Sequence, residues 1–222
     1  MTLELALLLI CAYTLGSIPF GVLVARANGV EIMKVGSGNI GATNVMRALG
    51  KGPAFLVFFL DAMKGLVPAI VARALFPERQ ELWLASGAMA IIGHSFSPFL
   101  KFKGGKGIAT ALGMMIGTSP IVALGAFITF AVVLTATRLM SFASIVAVLS
   151  TLPLGIVFKD SPWVIVGYSL LSGLIVWRHR SNIVRLRNGT EPKFSFRKTV
   201  EPPVKTYEVP GEAEEEHPVD AP

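Results

Sequence analysis

Glycines, small polar residues and single cations recur in three short stretches of this chain, and each combination suits a phosphate group. The first runs Gly36-Ser37-Gly38-Asn39-Ile40-Gly41-Ala42-Thr43-Asn44, with Arg47 soon after. Alternating glycines let successive backbone N–H groups converge into an anion-binding nest. Ser37, Asn39, Thr43 and Asn44 add side-chain hydrogen bonds, and Arg47 adds a planar fork that suits phosphate oxygens. The string also satisfies G-x-G-x-x-G, with Asp61 about 20 residues further on, the spacing of a dinucleotide site. Context rules that reading out, because no βαβ unit surrounds the glycines and Asp61 lies in an apolar run.

The second stretch runs from Gly93-His94 through Pro98, Lys101 and Lys103 to Gly104-Gly105-Lys106-Gly107, then Ala109-Thr110. It leads directly into a helical segment, and helix N-termini attract anions through free N–H groups and the macrodipole. It is not a P-loop, since Gly107 stands where Ser or Thr should follow the lysine. Lys101 and Lys103 suit lipid headgroups, whereas Lys106, flanked by glycines, suits phosphate contact. The third stretch holds His179, Asn182, Ile183, Arg185, Gly189 and Glu191. His179, Asn182 and Arg185 are spaced by three and share one helical face. His179 is open to acid, base, hydrogen-bonding or plain structural roles.

Asp61 and Lys64 sit three apart in an apolar segment, so they can pair on one helix. Charges at that depth are costly and are usually paired inward or functional. A structural ion pair and a substrate role both fit. No H-E-x-x-H or paired His/carboxylate cluster points to a metal, and none is expected. An H-x4-D acyltransferase dyad is excluded as well, because Phe99 and Val184 occupy the positions where the aspartate would fall after His94 and His179.

Long apolar helices must carry these stretches. The chain has 222 residues, 53% hydrophobic and 15% charged, against about 45–50% and about 25% for soluble domains. Spans need roughly 17–25 mostly apolar residues. Candidates are 2–25, 53–76, 81–100, 108–118, 120–137, 141–158 and 162–177. The first lacks the basic n-region of a signal peptide and is read as a retained span. The fourth is short, and Gly117, Ser119 and Pro120 make a turn that permits a tight hairpin with the fifth.

Seven spans place Arg26, Lys34, Arg47, Lys51, Lys101, Lys103, Lys106, Arg138 and the basic segment after residue 177 on one side. The opposite side holds only Arg73, Arg79 and Lys159, partly offset by Glu78, Glu81 and Asp160. The positive-inside rule then puts the N-terminus outside and the C-terminus in the cytoplasm. The expectation is an all-α membrane protein with a seven-span domain over residues 1–198. Residues 199–222 form an acidic, proline-rich tail that cannot bury enough apolar area to offset its ordering entropy. The single cysteine, Cys11, excludes a disulfide framework.

Taken together, the three stretches resemble the bacterial acyl-phosphate:glycerol-3-phosphate 1-O-acyltransferase family. That family's patterns are G-S-G-N-x-G-x-T-N-x-x-R, then G-H-x-x-x-P with G-G-K-x-x-A-T, then H-x-x-N-I-x-R-x-x-x-G-x-E. All are present in order, from Gly36 to Arg47, from Gly93 to Thr110 and from His179 to Glu191. The resemblance implies seven spans, an outer N-terminus and an active site on the cytoplasmic side of the bacterial inner membrane. It implies transfer of an acyl chain from acyl phosphate to glycerol 3-phosphate, giving lysophosphatidic acid and phosphate.

By the same resemblance, Ser37, Arg47 and Lys106 grip glycerol 3-phosphate, with Asn39, Thr43 and Asn44 beside them. His179 and Asn182 line the catalytic centre. Gly104, Gly105 and Gly107 receive the acyl phosphate next to His94 and Thr110, and Glu191 is mainly structural. The expected partners are acyl phosphate, glycerol 3-phosphate and membrane lipid, together with the enzyme that forms the acyl phosphate. A monomer is expected, with no cofactor and no nucleic acid. The rival class is a transporter of a phosphorylated solute, for which inverted repeats and broken midplane helices would be the signs.

Overall fold

A computed structural model describes residues 3–195; the tail expected at 199–222 lies outside the described residues. The described chain is helical throughout, without strands. Its helices are α1 (Leu3–Ser17), α2 (Phe20–Ala27), α3 (Ala42–Leu49), α4 (Lys51–Leu75), α5 (Gln80–Ser95), α6 (Ile108–Thr118), α7 (Pro120–Thr137), α8 (Met140–Val157), α9 (Pro162–Arg178) and α10 (Arg180–Arg187). Among the described residues four segments are long and apolar enough to cross a membrane: Leu3–Ala27 counted through its break, Lys51–Leu75, Pro120–Thr137 and Met140–Val157. Ile108–Thr118 and Pro162–Arg178 are shorter apolar helices. Large apolar side chains such as Phe55, Val132, Trp163 and Leu170 face outward, as expected where the surroundings are themselves apolar.

Two sequence expectations change. The first segment is broken rather than continuous, because Pro19 cannot donate a backbone hydrogen bond and ends α1. The carbonyls released there find partners elsewhere. Ser97 Oγ donates to the Ser17 carbonyl at 2.6 Å, and Lys64 Nζ donates to the Ile18 carbonyl at 3.1 Å. The segment expected at 81–100 is helical only to Ser95. Residues beyond it turn back, with the Gly104 and Gly105 N–H groups donating to the Ser95 and His94 carbonyls at 3.2 and 3.0 Å.

That return loop explains how α6 serves with only 11 residues. Such a helix is about 16 Å long, roughly half a hydrocarbon core. Its N-terminus therefore starts inside the bundle and not at its rim. α6 packs tightly on α4 because both meet through glycine. A Cβ on Gly65 would lie 1.9 Å from the Thr110 carbonyl oxygen, and one on Gly113 would lie 1.8 Å from that of Ala62. Small residues at such contacts are what let helix backbones approach in an apolar medium.

The core has two parts. One lies among α5, α6, α7, α8 and α9, around Met114, Val122, Tyr168 and Ile175. The other lies beneath the connection from α2 to α3, residues 28–41 and here called loop one, where Ile32, Val35 and Ile40 pack on Val45 and Val57 from α3 and α4. Loop one is thus a packed element with its own apolar foundation. At the far end, Asp160 accepts from Ser119 Oγ at 3.0 Å, Gln80 Nε2 at 3.1 Å and Tyr168 OH at 3.1 Å. The carboxylate ties three connections together and holds that end closed, opposite the end that carries the glycine-rich loops.

Candidate active site

The three stretches meet around one cleft of ≈ 370 Å³. Loop one and α3 contribute Ser37, Asn39, Thr43, Asn44 and Arg47. The return loop and α6 contribute Lys106, Gly107 and Ala109. The end of α9 and the chain beyond it contribute His179, Asn182, Arg185 and Glu191, and Asp61 and His94 line the wall. Gly104, Gly105 and Thr110 stand just behind and are buried.

Loop one works differently from the nest its glycines suggest. Asn44 is 2% exposed, and its side chain staples the loop. Its Oδ1 accepts the Ser37 N–H at 3.0 Å, while its Nδ2 reaches the carbonyls of Ile32, Val35 and Asn39 at 3.2, 2.9 and 2.9 Å. The Gly38 N–H is taken by the Val35 carbonyl at 3.0 Å, and that of Gly41 by Asn39 Oδ1 at 2.9 Å. Those amides are spent on the loop itself. What remains for an anion is the Ser37 hydroxyl, the first turn of α3 at Ala42 and Thr43, and Arg47 five residues into that helix. Burial lowers the Arg47 pKa from its ordinary value, yet a guanidinium stays charged.

A chain of hydrogen bonds orders the opposite wall. Lys106 Nζ donates to Asn182 Oδ1 at 2.6 Å. Asn182 Nδ2 donates to Glu191 Oε1 at 2.7 Å, and Arg185 Nε donates to Glu191 Oε2 at 2.7 Å. Burial pushes the Glu191 carboxyl up, but the nearby Ser141 hydroxyl and the hydrogen bonds from Asn182 and Arg185 outweigh that and hold it below the usual range. Glu191 therefore stays ionised and fixes which way the Asn182 amide faces. Lys106 is held at about 8, chiefly by burial, with Arg185, Arg47 and Arg178 adding to the fall and Glu191 opposing it.

His179 is 2% exposed and sits where α9 gives way to α10. Its Nδ1 lies 2.8 Å from the Ile175 carbonyl. Burial first, then the Lys106 charge, lower its pKa to about 4. A neutral ring with its proton on Nδ1 presents a bare Nε2 lone pair. The glycines of the return loop are required by fit, because a Cβ on Gly104 would lie 2.0 Å from the His94 carbonyl oxygen and one on Gly105 would lie 2.1 Å from His94 Nε2.

Asp61 and Lys64 pair at 2.7 Å with side chains 4% and 1% exposed. His94 Nδ1 stands 3.7 Å from the same carboxylate. The pair binds the α1–α2 break to α4 and α5, so Lys64 acts on the frame while Asp61 also borders the cleft. Among the described residues no cluster of three or more His, Cys, Asp or Glu side chains could hold a metal. Two contributors were not singled out from sequence. The residue pattern marks Arg178 only as a topogenic charge, and Ser141 borders the cleft with Glu191 from α8, which no local pattern announces.

An apolar groove of ≈ 140 Å³ leads away from the cleft between α4, α6, α7 and α8. Phe58, Ile108, Phe130 and Ser144 line both spaces, so polar cleft and apolar groove adjoin. A helical bundle with a cationic cleft beside an apolar groove defines a protein class that handles phosphorylated amphiphiles.

Comparison with known proteins narrows the class. The family model described as glycerol-3-phosphate acyltransferase matches residues 6–189, and the chain belongs to the glycerol-3-phosphate acyltransferase family. It is 44% identical over 192 residues to glycerol-3-phosphate acyltransferase 1 of Deinococcus radiodurans, covering 86% of this chain and 96% of that one. It is 47% identical over 185 residues to the glycerol-3-phosphate acyltransferase of Geobacter sulfurreducens, covering 82% and 94%. The fold matches the crystal structure of PlsY (YgiH), an integral membrane glycerol 3-phosphate acyltransferase, in its glycerol 3-phosphate form. The TM-score is 0.84 at 43% identity, over 86% of this chain and 96% of that one.

Proposed function

We propose that the protein transfers an acyl chain from acyl phosphate to the sn-1 hydroxyl of glycerol 3-phosphate, giving lysophosphatidic acid and inorganic phosphate, the first acylation of phospholipid synthesis. It is a multi-pass membrane protein of the bacterial inner membrane in this reading. Seven spans run from α1–α2 through α4, α5, α6, α7, α8 and α9, with the N-terminus outside. The cleft opens to the cytoplasm, where the basic connections gather. The protein works as a monomer and draws its donor from the enzyme that forms acyl phosphate.

One observation carries the reading: a cleft with several phosphate-type groups adjoins an apolar groove. The groove accommodates the acyl chain and the cleft two phosphates. Ser37, Arg47 and the start of α3 hold glycerol 3-phosphate, with Lys106 between the two substrates. Gly107 and the free N–H groups at the start of α6 receive the donor phosphate, as helix N-termini do for anions generally.

The acyl phosphate is already activated, so orientation and charge neutralisation are the main tasks. The sn-1 oxygen attacks the acyl carbon, the bond to the phosphate oxygen breaks, and phosphate leaves with that electron pair. The hydroxyl proton passes to a phosphate oxygen, since phosphate monoesters titrate near ~6. His179, at about 4, is the weaker base of the two and lines the wall beside the attacking hydroxyl. Asn182 holds Lys106 in place, and Glu191 acts structurally by fixing Asn182.

The test is direct. Purified protein with acyl phosphate, glycerol 3-phosphate and a chelator forms lysophosphatidic acid, and Arg47→Ala and Lys106→Ala weaken the use of glycerol 3-phosphate. Absence of product, together with solute flux in sealed vesicles, would replace this reading with a transporter. Unchanged kinetics in both variants would remove the assigned site.

A further inference from the structure

The return loop contains a conflict that Arg178 resolves. Gly104 and Gly105 must both be glycine, because His94 leaves no room for a side chain. Consecutive glycines are also the most freely rotating backbone a chain can have. A loop that binds phosphate through its amides needs the opposite property, since a flipped peptide would aim a carbonyl lone pair at the anion.

The end of α9 supplies the constraint. Arg178 Nε donates to the Gly105 carbonyl at 3.0 Å, and its Nη2 donates to the Gly104 carbonyl. The guanidinium is itself fixed, with its centre 5.6 Å from the Phe96 ring and 5.8 Å from the Trp177 ring. Those two rings stack at 6.1 Å. A trans peptide points its C=O and the following N–H in opposite directions. Holding the Gly105 carbonyl on Arg178 therefore turns the Lys106 N–H the other way. Arg178 does not line the cleft, whereas Lys106, Gly107, Ile108 and Ala109 do. The first α6 amides have no acceptor within their helix, so they follow Lys106 as one set of donors.

We propose that Arg178 is the positioning residue of the donor-phosphate cradle, clamping the Gly104 and Gly105 carbonyls so that the amides from Lys106 onward stay aimed at the cleft. This rests on the acyl-phosphate reading of the site. The clamp requires donors rather than one side-chain shape. A lysine ammonium, which also carries several donors, restores most of it, and a methionine of similar length restores none.

The experiment compares wild type, Arg178→Met and Arg178→Lys with acyl phosphate and glycerol 3-phosphate as substrates. Losing two charge-assisted bonds raises the KM for acyl phosphate about tenfold or more in Arg178→Met. The KM for glycerol 3-phosphate stays within about twofold, and Arg178→Lys recovers most of the loss. Hydrogen exchange over residues 103–110 is faster in Arg178→Met than in wild type. That readout holds whatever the substrate, so it separates failure of the clamp from failure of the activity assignment. An unchanged acyl-phosphate KM with unchanged exchange would overturn the proposal. So would equal loss in both KM values with a lowered unfolding midpoint and no lysine rescue, which would mark a packing role.

Discussion

Replacing Glu191 with glutamine tests the hydrogen-bond chain that aims Lys106. Both Glu191 oxygens accept, one from Asn182 Nδ2 and one from Arg185 Nε, each at 2.7 Å. Glutamine keeps one acceptor and turns the other into a donor. With its carbonyl toward Arg185, its amide meets the Asn182 amide donor for donor. Asn182 is 4% exposed, so water cannot take over, and the side chain flips to present Oδ1 to the glutamine. Its Nδ2 then faces the Lys106 ammonium in place of the oxygen that had accepted from it at 2.6 Å. One charge-assisted bond is lost, worth about 1.5–3 kcal/mol. If that loss is felt in the transition state, kcat/KM for glycerol 3-phosphate falls about 10–150-fold.

A second signature accompanies the first. Glu191 raises the Lys106 pKa from beyond Asn182, so Glu191→Gln lowers it further below about 8 and moves the alkaline limb of the pH profile to lower pH. The assay is steady-state turnover in detergent or nanodiscs across pH, with acyl phosphate as donor. A variant with kcat/KM within about twofold of wild type and an unmoved alkaline limb would refute the chain as the device that orients Lys106.

Three further outcomes follow from the same geometry. Activity in kcat/KM falls as pH rises through about 8, where free Lys106 loses its proton, and Lys106→Arg moves that fall upward because a guanidinium keeps its charge. On the acid side the rise falls near ~6 if a substrate phosphate accepts the proton, and the residual activity of His179→Gln keeps it there; a limb near 4, lost in that variant, would assign the base to His179. In the frame, Asp61→Asn and Lys64→Met each strand a buried partner and cost about 3–5 kcal/mol, whereas the double replacement costs less than the two singles together. Thermal unfolding in detergent measures this, and strictly additive losses would show that the pair is uncoupled.

Local chemistry was legible before any coordinates. Apolar run lengths located the helices, and three-residue spacing anticipated the Asp61–Lys64 pair, because a helix brings such positions together whatever surrounds it. The stretches read as phosphate-type segments for the same reason: residue type and flexibility are properties of the chain itself. What each polar group does was not legible. Loop one carries the composition of an anion nest, yet Asn39 and Asn44 take up two of its amides, and only the packing of Ile32, Val35 and Ile40 beneath it decides that.

The amino-acid sequence by itself determined that this is a helical membrane protein with three phosphate-type segments. Those properties follow from hydrophobic length, charge placement and short-range spacing. Only the tertiary structure decided that residues as distant as Ser37, Lys106 and Glu191 share one cleft, that α6 begins inside the bundle, and that Arg178 faces the Gly104 and Gly105 carbonyls. These depend on where a proline breaks a helix and where glycines let two helices touch. Such contacts join residues about 70 positions apart in Arg178 and the return loop, and no local pattern of residues encodes a distance of that kind.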